Sequence, residues 1–384
     1  SIQDITGNAA HTASMGGKLR FTLRFILKDG SEHTRTRVVF VDGWSNEPES
    51  GRAYYLNGER QTGWIELDSE RFYLDENGFT VEGWQILENS RYYFTSSGAL
   101  QTNWLTLGNY TYFFGDDGKM RTGWAQIEGS WYYFASSGTM LTGWLTLGSS
   151  KYYLGTDGKM KTGWAQIEGS WYYFASSGAM QTNWLMLGNI KYYLGSDGKM
   201  RTGWALIEGA WYYFADSGAI HTNWLILGNN KYYLDSDGKM KTGWLQLDNS
   251  WYYFADSGAM QINWLTLGDY TYYLGSDGKR RTGWALVEGG WYYFSSDGVM
   301  QTNWLTLGNT KYNLGSDGKM RTGWALIEGA WYYFASSGAM HEGWLLLGNS
   351  WYYLKVGGQM VTGRFEIDGR INIFNSSGVW LGYE

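Results

Sequence analysis

The sequence predicts an all-β protein, a repeat solenoid of stacked β-hairpins. A Trp recurs at every twentieth position from Trp44 to Trp344 without a gap, and we call these residues the frame Trp. Each interval holds two short runs rich in aromatic and aliphatic residues, and many of the 55 Gly lie between the runs. A strict short period is typical of units that stack on their neighbours. A lone hairpin is not stable in water, so stacking must bury its second face.

The composition excludes several classes of protein. The 384 residues carry a net charge of −6, whereas a nucleic-acid protein would need a basic stripe to neutralise phosphates. The chain has no Cys, which excludes disulfides, thiolate metal sites and a Cys nucleophile. No apolar run approaches the ~20 residues of a membrane span. Aromatic residues make up 19% of the chain, which favours repeated recognition of one ligand class.

Residues 1–42 lie outside the repeat. Residues 19–25 and part of 34–40 alternate apolar and polar side chains, and Asp29-Gly30 between them is a hairpin turn signal. We interpret this segment as an N-terminal cap of the solenoid or as the tail of an upstream domain. No signal peptide pattern is visible at Ser1. The sequence begins without an initiator Met, so we expect a mature or trimmed form.

Each repeat of the predicted solenoid, residues 43–362, has the pattern of a hairpin. In one unit, residues 123–127 form the first strand, Glu128-Gly129 the turn, and residues 131–134 the second strand. Alternation places Trp131 and Tyr133 on one face of the second strand. Residues 363–384 depart from the pattern, with Arg364 at the next frame position, and we expect a C-terminal capping repeat.

Two kinds of hairpin alternate, so the true building block is a pair of hairpins with a period of forty positions. Type A hairpins have a second Trp at the seventh position after the frame Trp, whereas type B hairpins have Thr or Lys there and often begin Thr-Asn-Trp instead of Thr-Gly-Trp. The type A second Trp are Trp131, Trp171, Trp211, Trp251, Trp291 and Trp331. The type B residues are Thr111, Lys151, Lys191, Lys231, Thr271 and Lys311.

The unit Thr-Gly-Trp-x4-Gly-x-Trp-Tyr-Tyr-Phe-x3-Gly-x-Met resembles the choline-binding, or cell-wall-binding, repeat of Gram-positive surface proteins and phage lysins. The resemblance covers roughly residues 44–382. It implies a left-handed superhelix in which choline lies between consecutive hairpins in an aromatic cage, usually with a Met. The implied ligand is phosphocholine on teichoic or lipoteichoic acid, and the implied location is the bacterial cell wall of a secreted protein. Some relatives also form homodimers through an end cap.

Physical chemistry supports this ligand independently. A quaternary ammonium cannot donate a hydrogen bond, but the negative face of an aromatic ring attracts it, and Trp is the best such ring. Met adds a polarizable, adaptable wall. The resemblance therefore implies six choline sites, each opening on a type A hairpin. The sets are Trp124, Trp131, Tyr152 and Met140; Trp164, Trp171, Tyr192 and Met180; Trp204, Trp211 and Tyr232; Trp244, Trp251, Tyr272 and Met260; Trp284, Trp291, Tyr312 and Met300; and Trp324, Trp331, Trp351 and Met340.

The type B hairpins leave more than one interpretation open. Their sites are either empty or closed by the Trp of the next type A hairpin, and their Lys would either repel choline or meet its phosphate. The recurring Asn of type B also keeps open a rod that binds neutral glucan or host glycan. A third hypothesis is the wall-anchoring part of a peptidoglycan hydrolase whose catalytic domain lies outside this chain.

Neither catalysis nor metal binding has a motif in the sequence. The four His are scattered without a partner motif, and no carboxylate pair can be singled out for glycoside hydrolysis. Asp-Gly-Lys turns such as 117–119 match no calcium loop, and turn chemistry explains them. We therefore expect a binding protein with neither an active site nor a metal.

Overall fold

The computed structural model describes residues 17–27, 29–47 and 51–384, and every regular element within them is a β-strand. No helix in this part of the chain is long and apolar enough to cross a membrane. The prediction of an all-β fold of repeated hairpins is confirmed. The left-handed sense of the superhelix and the domain boundaries remain predictions.

The strands are short, and most of them have the same length. They are β1 Gly17–Ile26, β2 Glu32–Val41, β3 Gly43–Glu47, β4 Gly51–Leu56, β5 Glu59–Arg60, β6 Gly63–Leu67, β7 Glu70–Leu74, β8 Gly83–Leu87, β9 Ser90–Phe94, β10 Asn103–Leu107, β11 Tyr110–Phe114, β12 Gly123–Ile127, β13 Ser130–Phe134, β14 Gly143–Leu147, β15 Ser150–Leu154, β16 Gly163–Ile167, β17 Ser170–Phe174, β18 Asn183–Leu187, β19 Ile190–Leu194, β20 Gly203–Ile207, β21 Ala210–Phe214, β22 Asn223–Leu227, β23 Asn230–Leu234, β24 Gly243–Leu247, β25 Ser250–Phe254, β26 Asn263–Leu267, β27 Tyr270–Leu274, β28 Gly283–Val287, β29 Gly290–Phe294, β30 Trp304–Leu307, β31 Thr310–Asn313, β32 Gly323–Ile327, β33 Ala330–Phe334, β34 Gly343–Leu347, β35 Ser350–Leu354, β36 Gly363–Ile367, β37 Arg370–Phe374 and β38 Trp380–Tyr383.

The described residues form two units, one reaching Leu185 and including Leu194–Met200, the other made of Met186–Tyr193 and Arg201–Glu384. In the first unit β1 pairs with β2 around the turn at Asp29, which is the hairpin predicted within residues 1–42. The part of that prediction that concerns residues 1–16 lies outside the described residues. The second unit ends in a three-stranded sheet of β36, β37 and β38.

The two hairpin types use different tight turns. In type A, Glu128 and Gly129 have φ of 49° and 79°, as a type I′ turn requires. In type B, Gly148 holds the first turn position with φ of 61°, as in a type II′ turn. Both turns match the twist of the strands they join, so both sequences give hairpins of equal length in the same register.

Aromatic side chains connect neighbouring hairpins within a unit. Trp124 pairs across its hairpin with Tyr133, and its ring lies 5.1 Å from that of Tyr152 on the next hairpin. The opposite face of each second strand supplies the core. Phe134 in a type A hairpin and Leu154 in a type B hairpin are both fully buried. The core therefore repeats in both types, with Phe and Leu at equivalent positions.

The loop after each hairpin ties it to the preceding one. Met140 bridges to Phe134 of its own repeat, while its backbone N–H donates to the Thr111 carbonyl 2.8 Å away. Met160 donates in the same way to the carbonyl of Trp131. Each Met is thus fixed beside the seventh-position residue of the previous hairpin, and this docking decides the site that it enters.

Candidate aromatic cages

The cage at Trp204 and Trp211 is built by successive hairpins of the second unit. The two indoles lie on one face of β20 and β21, with centroids 6.5 Å apart and planes at 85°. Tyr232 of the next hairpin closes a third side, 5.0 Å from Trp204. Met240 completes the wall of a cavity of about 300 Å³. Near-perpendicular rings with a polarizable thioether form a concave apolar site that suits a bulky cation.

Asp256 and Ser257 stand at the edge of this cavity. They belong to the loop that follows β25, so three successive hairpins contribute to one cage. Trp211 remains 44% exposed, which leaves one of its faces available to a ligand. The site is therefore an open aromatic pocket with a single carboxylate at its edge.

The cage at Trp324 and Trp331 repeats this arrangement. The two rings lie 6.5 Å apart at 86°, and Tyr352 lies 5.0 Å from Trp324. With Met360, Ser376 and Ser377 they line a cavity of about 350 Å³. The same geometry in two places indicates that the pattern of the sequence determines the site.

The structure brings together the Trp and Tyr of most predicted sets. Trp124 and Trp131 lie 6.4 Å apart, and Tyr312 lies 5.0 Å from Trp284, whose partner Trp291 is 44% exposed. Trp164 and Trp171 share a face of β16 and β17 in the first unit. Tyr192, the tyrosine predicted for the same set, lies on β19 and belongs to the second unit.

The methionines of the predicted sets lie elsewhere. The prediction takes each Met from the same repeat as the frame Trp, but the cavities at Trp204 and Trp324 contain the Met of the following repeat, Met240 and Met360. The predicted residues bond instead to the backbone of the preceding type B hairpins. The bonds run from Met140 to Thr111, Met180 to Lys151, Met260 to Lys231, Met300 to Thr271 and Met340 to Lys311. The placement of these five in type A cages is wrong, because each loop folds back onto the preceding hairpin.

The last predicted set needs a second correction. Tyr352, not Trp351, closes the cage at Trp324. Trp351 points to the other face of its strand, where its ring lies 6.1 Å from Trp344. The Trp380 ring lies 5.7 Å from Trp344, and its indole N–H donates to Asn372 Oδ1 at 3.0 Å. The C-terminal sheet therefore places an aromatic ring of its own beside this extra Trp pair.

A type B pocket has different walls. Trp144, Tyr172 and Met180 keep their places, but Lys151 stands where type A has its second Trp, and Asp197 lies at the edge. The cavity is about 250 Å³, and the Trp of the next type A hairpin does not line it. The type B space is thus neither filled nor closed by that Trp. It is a smaller pocket with one aromatic wall replaced by a cation.

The recurrent type B Asn has a conformational explanation. Asn103, Asn223 and Asn303 have φ of 61°, 66° and 61°, and Gly123 at the same place in type A has φ of 69°. After Gly, Asn is among the residues that best tolerate this left-handed conformation. The alternation of Asn and Gly therefore reflects a backbone requirement, and it gives no support to a sugar-binding role.

Arginines occupy the aromatic face of several hairpins, a feature that the sequence reasoning missed. The guanidinium carbon of Arg52 lies 3.8 Å from the centroid of Trp44, and that of Arg71 lies 4.7 Å from Trp64. Arg280 lies over both Trp244 and Trp251. The sequence indicates this feature at Arg280, which stands at a position of the repeat that is otherwise rich in Met.

Two buried tyrosines on the second strands of type A hairpins have raised pKa values. Burial, and secondarily the nearby Asp277 and Asp248, raises the pKa of the Tyr252 hydroxyl. Burial likewise raises the pKa of Tyr212, with smaller effects of Glu208 and of two aspartates. Both hydroxyls therefore stay protonated at neutral pH, and the Tyr252 ring lies 5.2 Å from Trp224, the frame Trp of a type B hairpin.

These features define a repeat protein with regularly placed aromatic cages, and comparison with known families identifies the class. A family model described as a choline-binding repeat matches residues 101–142, 121–162, 161–194, 184–224, 221–264, 301–342 and 321–365. A second, described as a putative cell wall binding repeat, matches residues 62–78 and 282–300. The chain belongs to the choline-binding repeat family.

Several solved structures from Streptococcus pneumoniae are similar to this chain. Choline binding protein F is 30% identical over 73% of this chain and 98% of its own, with a TM-score of 0.42. The choline-binding domain of CbpL is 36% identical over 49% of this chain and 100% of its own, with a TM-score of 0.37. The modular autolysin LytC is 30% identical over 63% of this chain and 53% of its own, with a TM-score of 0.40. Comparison with curated proteins gives no match.

Proposed function

We propose that the chain attaches non-covalently to the bacterial cell wall by binding phosphocholine on teichoic or lipoteichoic acid. The observation that carries this proposal is the cage of Trp204, Trp211, Tyr232 and Met240, repeated at Trp324. Its rings present electron-rich faces to a single open pocket. A trimethylammonium group needs this environment, since it gains nothing from hydrogen-bond acceptors placed at fixed directions.

Several weak sites on one chain produce strong attachment to a polymer. A desolvated cation–π contact contributes about 2 kcal/mol, so each cage alone binds choline modestly. Once one cage holds a teichoic acid chain, the neighbouring phosphocholines are at a high effective concentration, and avidity rises by orders of magnitude. This mechanism places the protein at the bacterial surface as a binding module. An additional catalytic domain is not needed for this activity.

The proposal is tested by titrating intrinsic Trp fluorescence and thermal stability with choline. Tetramethylammonium and glucose oligomers serve as the two comparison ligands. A ligand that binds only the folded state raises the melting temperature by mass action. We expect saturable responses to choline and to tetramethylammonium and none to the oligomers. A response to the oligomers alone would replace this function with glycan binding, and silence to all three would leave the cages with a structural role only.

Attachment to the wall needs a separate assay. The protein is mixed with teichoic-acid-containing cell walls grown with choline or with ethanolamine in its place, and the bound fraction is measured. We expect binding only to the choline walls and release by free choline at millimolar concentration. Equal binding to both walls would contradict the phosphocholine mechanism even if free choline bound.

A further inference from the structure

We propose that Arg280 is a built-in ligand that fills the cage of Trp244, Trp251 and Tyr272 and closes it to choline. The inference rests on the proposed function, because it uses the same cage and the same cation chemistry. The sequence assigns this cage two Trp and a Tyr like the others. The structure places the protein's own guanidinium in it.

Arg280 holds the position that Met occupies in the open cages. Its backbone N–H donates to the Trp251 carbonyl at 2.8 Å, the bond that Met240 makes to Trp211 and Met360 makes to Trp331. Its aliphatic stem packs under Gly298, where a Cβ would collide with it, as Met240 packs under Gly258. The side chain therefore leaves the backbone from the same point and in the same direction as the cage Met.

The guanidinium reaches the site of the expected ligand cation. Its carbon lies 5.6 Å from the Trp244 centroid and 5.5 Å from the Trp251 centroid, within the range of cation–π attraction. One terminal nitrogen donates to the Ser296 carbonyl at 3.3 Å. Ser296 and Asp297 hold the positions that Asp256 and Ser257 hold at the edge of the Trp204 cage. The arginine thus spans the cage from its base to its edge.

Burial of the rings indicates that the space is filled. Trp211, Trp291 and Trp331 are each 44% exposed, whereas the Trp251 ring is half-buried and is not among the exposed large apolar side chains. The Arg280 Nε is itself buried and has no hydrogen-bond partner. A donor buried without an acceptor is normally unfavourable, so the aromatic faces, together with the Ser296 carbonyl and the charge of Asp297, offset this cost.

An attached cation competes strongly with a free one. Arg280 needs no association step, because the chain already holds it at the cage, and its charge repels a second cation from the same volume. The same rings that would attract choline are covered on their inner faces. The chain consequently binds one choline fewer than its number of type A hairpins predicts.

Arg280→Met restores the residue type found in the open cages and should add one choline site. Equilibrium dialysis with labelled choline counts bound ligand per chain at saturation. Met360→Arg is the reciprocal variant and should remove one site. Arg281→Met is the matched control, because Arg281 pairs with Asp277 at the surface. This variant should leave the count unchanged.

The outcomes separate the two proposals. No saturable binding by the wild-type chain overturns the proposed function. Saturable wild-type binding with the same count in Arg280→Met overturns the role of Arg280 alone. Thermal melting verifies that each variant is folded, and Met360→Arg tests the blockade even where Arg280→Met is unstable. A crystal structure of the wild-type chain in choline should show ligand beside Trp331 and none beside Trp251; choline bound beside Trp251 would also refute the blockade.

Discussion

The Trp204 cage and the Trp144 pocket share one scaffold and differ at one wall. Both have a frame Trp, a Tyr from the next hairpin and a Met from the loop beyond it. The seventh residue is Trp211 in the first and Lys151 in the second. The fully buried core residues, Phe214 and Leu154, perform the same task in the two hairpins. We therefore expect recognition and folding to depend on separate positions of the repeat.

The largest loss of unfolding free energy is expected at the buried core position, where the two hairpin types are alike. Phe134→Ala and Leu154→Ala each empty a fully buried position, and the expected losses are ~3–5 and ~2–5 kcal/mol of unfolding free energy. Thermal and denaturant unfolding measure them. If one of the two variants lost no stability, the hairpin types would differ in their core, and the separation of folding from recognition would be wrong.

Removal of the second Trp is expected to affect binding more than stability. Trp211→Ala takes away one ring of a cage, which costs about 2 kcal/mol, or roughly 30-fold in Kd, at that site. Because the side chain is 44% exposed, the melting temperature should change little. Calorimetric titration with choline should show one fewer site at moderate concentrations.

Two control variants accompany this measurement. Lys231→Ala changes the same position of a type B hairpin and should leave the number of sites unchanged. Ile262→Thr changes an exposed apolar residue outside the cage lining and should alter neither binding nor stability. Loss of a site in either control would show that the count does not report cage occupancy.

Conversion of a type B pocket sharpens the comparison further. Lys151→Trp replaces the cation with a ring beside Trp144, Tyr172 and Met180, and should create one new choline site of type A affinity. Lys151→Gln removes the charge without adding a ring and should give at most a weak site. Dialysis at saturation distinguishes the two. Equal gains in both variants would mean that charge repulsion, and not the missing ring, keeps type B empty.

The smallest effect concerns the residue before the type B frame Trp. Asn223 has φ of 66°, so Asn223→Gly should change stability by only a few tenths of a kcal/mol, whereas Asn223→Ala should cost roughly 1 kcal/mol. Thermal melting compares them, and choline binding should not respond to either. A loss of glucan or choline binding in Asn223→Gly would restore a ligand role for the Asn.

The hairpins and the paired Trp were predictable from the sequence because they depend on local rules. Strand alternation places Trp124 and Trp131 on one face, and the turn residues fix the register. These contacts join residues within one repeat or in adjacent repeats, where the period itself supplies the geometry.

The Met positions were not predictable in this way. Whether Met140 or Met160 enters the Trp124 cage depends on where the loop docks, which a backbone bond to the preceding hairpin decides. The Met recurs at the same position in both hairpin types, so the sequence offers both choices equally. Arg280 shows the same limit, because its role could be predicted only by knowing which cage is entered by the residue at this position of the repeat.

The distribution of the Trp204 cage over three hairpins has a consequence for how a gene that encodes such repeats changes length. The Tyr and the Met that later hairpins contribute are common to both types, so unequal recombination that removes one whole repeat leaves the remaining cages with equivalent walls. The number of repeats can therefore set the number of cages, and no single cage has to change. In this chain, excision of residues 261–280 would remove Arg280 and bring Tyr292 and Met300 to the Trp244 cage. If Arg280 closes this cage, the deletion should open it.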